Sequence, residues 1–123
     1  MRVPLPGEVY FAYVEGGKRR RVIVVSRQEL NRGSCLIAIP TTTRRLSTRY
    51  GLANCVFLAA GREGFPEDTI AQAESITMLE MSDLDLESGP ITILDGGEMQ
   101  ELIRAIGYVI DADCQPGSGL GGE

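Results

Sequence analysis

Four consecutive cations, Lys18-Arg19-Arg20-Arg21, and three consecutive threonines, Thr41-Thr42-Thr43, followed at once by Arg44 and Arg45, are the side chains of this 123-residue chain best placed to do chemistry. What they can do is bounded by what is missing. The sequence has no histidine. Ser-His and Cys-His catalysis are therefore excluded, and so are His-based metal sites. Proton transfer is left to a carboxylate, Arg, Lys, Tyr, Cys or the substrate itself.

The charge is unevenly spread. The net charge is -5 with a pI near 4.8, which argues against broad binding of duplex DNA, an interaction that normally carries a basic footprint. Yet nine of the 12 basic residues lie between Lys18 and Arg49, with Glu29 the one acid among them, while the stretch from Glu63 to Glu101 is almost purely acidic. If the fold brings the Lys18–Arg21 and Thr41–Arg45 segments together, a cationic face survives on an acidic protein. Arg44, Arg45 and Arg49 fit either of two roles, anion contact or loop solvation. The three cysteines, Cys35, Cys55 and Cys114, have no CxxC spacing and read as reduced thiols, the first two as core residues inside apolar strands.

These residues need elements to position them. GEVYFAYV (7–14) is a β-rich aromatic run, and Gly16-Gly17 marks a turn. RRVIVVS (20–26) is a second strand, continuous enough in Val and Ile to be buried on both faces. CLIAIP (35–40) is a third strand, 41–50 a polar loop, ANCVFLA (53–59) a fourth strand and 69–76 a fifth, with Met78-Leu79 as its candidate continuation and a short last strand within 89–94. Asp95 and Glu98 have the spacing of an acidic capping box. Met99, Leu102, Ile103, Ile106, Val109 and Ile110 then recur at helical spacing, a stripe that must pack on the sheet. The expected fold is mainly β (α+β): one domain over 1–110, a small antiparallel barrel closed by a C-terminal helix, with a disordered Gly-rich tail over 111–123. No apolar run is long enough for a membrane span. The opening MRVPLPGE lacks the apolar centre of a signal peptide, so the reading is cytoplasmic, with no membrane partner.

The order of these blocks resembles the MazF/PemK family of toxins over about Pro6 to Ile110. GEVYFAYV is similar to the family's opening strand, RRVIVVS to its Arg-led second strand, LIAIPTTT (36–43) to the strand that ends in threonine, GFPEDTIAQAESITMLE (64–80) to its acidic block, and DGGEMQELIRAI (95–106) to its helix. The resemblance implies an SH3-like barrel, usually a homodimer. It also implies a type II toxin–antitoxin function, namely endoribonuclease cleavage of single-stranded RNA without metal or cofactor, neutralised by a cognate antitoxin protein, with no DNA binding by the toxin alone. Motif by motif it assigns the catalytic positions to Arg20 and Thr42, and makes Arg19, Arg21, Thr41, Thr43, Arg44, Arg45 and Glu74 candidates for RNA contact. Such chemistry needs no His. The RNA's own 2'-OH attacks, while Arg holds the phosphate and stabilises developing charge and Thr hydrogen-bonds a phosphate oxygen.

Three features depart from the family pattern. The loop VEGGKR between the first two strands is short, the family's Pro after the catalytic Arg is Arg21, and the family's Gln and basic residue of the acidic block are Ser75 and Thr77. With Arg19, Arg20 and Arg21 in a row, the functional arginine is open by one residue. A catalytically lapsed barrel that binds protein or RNA is the alternative these departures raise.

Overall fold

The computed structural model describes residues 2–13, 17–62 and 64–111. Seven antiparallel strands form one sheet: β1 (Glu8–Tyr13), β2 (Arg19–Val24), β3 (Cys35–Thr42), β4 (Cys55–Leu58), β5 (Thr69–Gln72), β6 (Thr77–Glu80) and β7 (Thr92–Ile93). Their order is β4-β5-β3-β2-β1-β7, and β6 also pairs with β3. A one-turn helix, α1 (Leu46–Arg49), follows β3, and α2 (Gly96–Val109) comes last. The architecture is a curled antiparallel half-barrel with one C-terminal helix, mainly β as the sequence implies.

The curl originates in β3. One of its edges pairs with β2 from Val22↔Pro40 to Val24↔Ala38. The other pairs first with β6, from Cys35↔Glu80 to Ala38↔Thr77, and then with β5, at Thr41↔Ala71 and Thr42↔Ile70. Pro40, with no N–H to donate, falls between those two ladders, where a missing bond costs least. A strand shared this way bends, and its last residues are carried across the mouth of the sheet.

Both faces of the sheet are covered. Val9, Ile23 and Ile39 pack with Val56, Leu58, Phe65, Leu102 and Ala105 on the helix side, and Tyr10, Val22, Val24, Leu36 and Leu84 form a second cluster on the other side. β2 contributes alternate residues to each, as its unbroken apolar run requires. Burial of this order, at about 25 cal/mol per Å2 of apolar surface, is the main stabilising term. Helix α2 starts as expected: the Asp95 carboxylate accepts from Glu98 N–H (2.8 Å) and Glu98 Oε1 accepts from Asp95 N–H (3.0 Å), a complete capping box. Arg62 also pairs with Glu98, tying the helix start to the loop before β5. Gly64 is required where it is, since at φ +94° a Cβ there would lie 2.6 Å from Ile91 Cγ2.

Several expectations are corrected. Thr41 and Thr42 belong to β3 rather than to a loop, because β5 gives them a ladder. The segment from Thr69 to Leu79 is two strands, broken by a 3-10 turn at Ala73–Ser75 that lets β5 and β6 pair with different parts of β3. The last strand shrinks to Thr92–Ile93. On α2, Leu102 and Ala105 are buried and Met99, Ile106 and Val109 pack against the core, whereas Ile103 (60% exposed) and Ile110 (65%) lie outside the packed face. Cys35 and Cys55 are half-buried rather than core, and desolvation, followed by the Glu74 charge, pushes the Cys55 thiol above its ordinary pKa. Cys114 and the tail from 112 onward lie outside the described residues. Among the described residues, no helix is long and apolar enough to cross a membrane.

Candidate active site

The β1–β2 hairpin delivers three arginines to one end of the sheet. Its register pairs Phe11 with Arg21, Ala12 with Arg20 and Tyr13 with Arg19. Alternation then puts Arg19 and Arg21 on one face and Arg20 on the other. The first two share a platform: Arg19 Cζ lies 4.0 Å and Arg21 Cζ 5.0 Å from the centre of the Phe11 ring. Cation–π attraction of this kind contributes about 0.5–1 kcal/mol at exposed sites. Arg21 Nε is buried and has no hydrogen-bond partner among the described residues.

Arg20 is held differently. Its Nε donates to the Thr41 carbonyl (3.1 Å) and its Nη2 to Gln72 Oε1 (3.5 Å). The β2–β3 register explains why it meets the threonines. Pairing ends at Val22↔Pro40; continued by two residues, the same register sets Arg20 opposite Thr42. The intervening step is closed by Thr41 Oγ1, which donates to the Arg21 carbonyl (3.0 Å). Thr41 is thereby buried and its hydroxyl committed to the fold. The Thr42 hydroxyl is half-buried and accepts from Arg44 N–H (3.1 Å).

These side chains surround a cleft of about 410 Å3, lined by Lys18, Arg19, Arg20, Arg21, Thr41, Thr42, Thr43, Arg44 and Thr69. Among the described residues the cleft lining carries five cations and no acid, a positive surface on an acidic protein that suits an anion. Most of the sequence candidates are thus brought together. Two are not among the lining residues. Arg45 adopts a left-handed φ of 55° at the start of α1, a conformation costing about 1–2 kcal/mol for a residue with a Cβ. Glu74 lies one step behind the cleft, accepting from Asn54 Nδ2 (2.7 Å) and from Gln72 Nε2 (3.3 Å). Of the three arginine side chains, only that of Arg20 is hydrogen-bonded toward β3 and β5 among the described residues, while those of its neighbours stack on Phe11.

Sequence reasoning missed Gln72 and Thr69. Both sit on β5 and are buried, and a polar residue inside the run TIAQ was the signal that could have found them. It also missed the buried Glu8. That carboxylate accepts from Arg2 Nη2 (2.7 Å), Tyr10 Oη (2.8 Å) and Leu5 N–H (2.9 Å), a structural knot at the far end of the hairpin.

The comparisons agree with this fold. A model of the PemK-like, MazF-like toxins of type II toxin–antitoxin systems matches residues 6–110. Among solved structures, a mycobacterial endoribonuclease in complex with its cognate antitoxin superposes with a TM-score of 0.69 at 21% identity, over 88% of this chain and 95% of that one. The Mycobacterium tuberculosis toxin MazF-mt6 does so with 0.70 at 21% identity, over 85% and 96%. MazE-MazF from Deinococcus radiodurans gives 0.70 at 18% identity, over 89% and 97%. At such identities the structural likeness speaks for the fold. No curated protein matches the sequence significantly. With the match spanning nearly all of the described chain, the protein belongs to the PemK-like, MazF-like family of type II toxin–antitoxin toxins.

Proposed function

We propose that this toxin is a metal-independent endoribonuclease that cleaves single-stranded RNA in the cleft between β2 and β3. The observation that carries the reading is the register that sets Arg20 opposite Thr42 within a cleft lined by five cations. In the proposed reaction the 2'-OH of the RNA attacks the adjacent phosphorus and the bond to the 5'-oxygen breaks. The products are a 2',3'-cyclic phosphate and a 5'-hydroxyl. Arg20, oriented by Thr41 and Gln72, holds the phosphate and stabilises its developing negative charge; the 2'-OH proton passes to water, and Arg20 hands a proton to the leaving oxygen while regaining one from that water, so it ends the step charged. Thr42 hydrogen-bonds a non-bridging oxygen. Arg19, Arg21, Lys18 and Arg44 attract flanking phosphates, and Thr43 stands at the cleft rim.

The remaining parts of the reading follow the same family: a cytoplasmic homodimer held in check by a cognate antitoxin. Relatives of the same fold have been solved as toxin–antitoxin complexes, which supports that partner. A cationic cleft open to solvent accepts an acidic protein segment by the same charges that attract RNA.

Incubation of the purified protein with a long mixed-sequence RNA in EDTA tests the proposal. Discrete fragments bearing 2',3'-cyclic phosphate and 5'-hydroxyl ends by mass spectrometry are expected. No cleavage, or fragments with 5'-phosphates, contradicts it.

A further inference from the structure

We infer that Gln72 is a positioning residue for Arg20: a neutral amide that aims the guanidinium while leaving its charge for the substrate. The inference rests on the ribonuclease reading of the same cleft. Its basis is a chain of hydrogen bonds running away from the cleft. Asn54 Nδ2 donates to Glu74 Oε1 (2.7 Å), Gln72 Nε2 donates to Glu74 Oε2 (3.3 Å), and Arg20 Nη2 donates to Gln72 Oε1 (3.5 Å).

The direction of this chain is fixed by chemistry. An ionised carboxylate only accepts, so Glu74 must receive an N–H from both neighbours. That commits the Gln72 NH2 group to Glu74 and turns the amide oxygen toward Arg20. Gln72 is only 8% exposed, on a β5 position between Ala71 and Ala73 that are wholly buried, so its backbone has little freedom to reorient. Together with the Thr41 carbonyl on Nε, the amide engages two of the five guanidinium N–H groups. Three have no partner among the described residues and are left for a phosphate.

The choice of an amide matters. A carboxylate in direct contact with Arg20 would neutralise it and compete with the phosphate. Placed one amide away, Glu74 fixes the geometry without pairing with the arginine. Glu74 is one of the acids in this acidic chain that has a local function under this reading, although it touches no substrate.

The test compares the unsubstituted protein with Gln72→Met, which keeps the side-chain volume but removes both hydrogen bonds. Cleavage of a single-stranded oligoribonucleotide is followed in EDTA, with RNA affinity and thermal stability measured alongside. The expected result is a kcat lowered at least tenfold, KM within twofold of the parent and an unchanged Tm. Glu74→Ala, at an exposed position that does not threaten folding, is expected to lower kcat about threefold, again with KM unchanged. A kcat within twofold of the parent in a folded Gln72→Met protein overturns the inference. So does a loss shared equally between KM and kcat, and, where Gln72→Met does not fold, a Glu74→Ala protein with parental kcat. Failure of the unsubstituted protein to cleave any RNA is a different result and removes the ribonuclease reading itself.

Discussion

The two ends of the β1–β2 hairpin handle charge in opposite ways. At one end Glu8 is 2% exposed, and Arg2, Tyr10 and the Leu5 N–H all donate to its carboxylate. At the other, four residues along and roughly 14 Å away at the usual strand rise, Arg19, Arg20 and Arg21 face an open cleft with fewer partners than donors among the described residues. A buried charge must be satisfied within the fold, because leaving it unpaired costs several kcal/mol. An exposed charge need not be, since water solvates it until a ligand arrives. The satisfied cluster is structure; under the proposed function the open one is the site. One hairpin register supplies both.

That contrast breaks most visibly at Glu8. Glu8→Ala leaves the Tyr10 hydroxyl and the Leu5 N–H without their acceptor in a buried setting, and should cost about 2–6 kcal/mol of stability, at about 1–3 kcal/mol for each orphaned donor. Urea unfolding with an unchanged m-value checks it; a loss below 1 kcal/mol would mean the knot is not structural. Tyr10 gives a second, smaller effect with a pH signature. Burial first, and then the hydrogen bond to Glu8, raise its pKa above the ordinary 10.0. A phenol that ionises less readily in the fold contributes stability that is complete below about pH 10 and declines as pH rises above it, because the unfolded chain then releases a proton the native state retains. Tyr10→Phe should cost about 1 kcal/mol at neutral pH and flatten the decline above pH 10, as read from thermal melts across pH 8 to 11. The smallest effect belongs to the cleft. Phe11→Leu keeps an apolar side chain but removes the platform under Arg19 and Arg21. RNA affinity should weaken about two- to fivefold, the equivalent of about 0.5–1 kcal/mol, in fluorescence anisotropy at fixed salt, with Tm shifted little.

Much of this was legible in the sequence, and the pattern of what was not is physical. The run RRVIVVS announced a strand buried on both faces, and Asp95 with Glu98 announced the helix start, because both signals are local. The threonine strand was placed too short, since Thr41 and Thr42 owe their ladder to β5, a partner about 30 residues away that no local propensity encodes. Arg19, Arg20 and Arg21 could not be told apart in sequence, whereas alternation against Phe11 separates them at once. Gln72 went unnoticed because a single amide in an apolar strand carries no motif; only the arginine 52 positions before it gives it meaning. The candidate set itself, Arg19 to Arg21 with Thr41 to Arg44, came from resemblance and charge asymmetry, and the cleft gathers those residues while leaving Arg45 and Glu74 outside its lining.

The central claim is that Arg20, alone of the three arginines, carries the reaction. Its most direct test is single-turnover cleavage of single-stranded RNA in EDTA by the parent and by Arg19→Ala, Arg20→Ala and Arg21→Ala, with Tm measured for each. Arg20→Ala should be slower by about 100-fold or more, the scale expected for loss of a group that stabilises transition-state charge, at an unchanged Tm. Arg19→Ala and Arg21→Ala should lose RNA affinity with less than a tenfold change in rate at saturation. An Arg20→Ala protein that cleaves within threefold of the parent, or that is no more impaired than its two neighbours, would contradict the account.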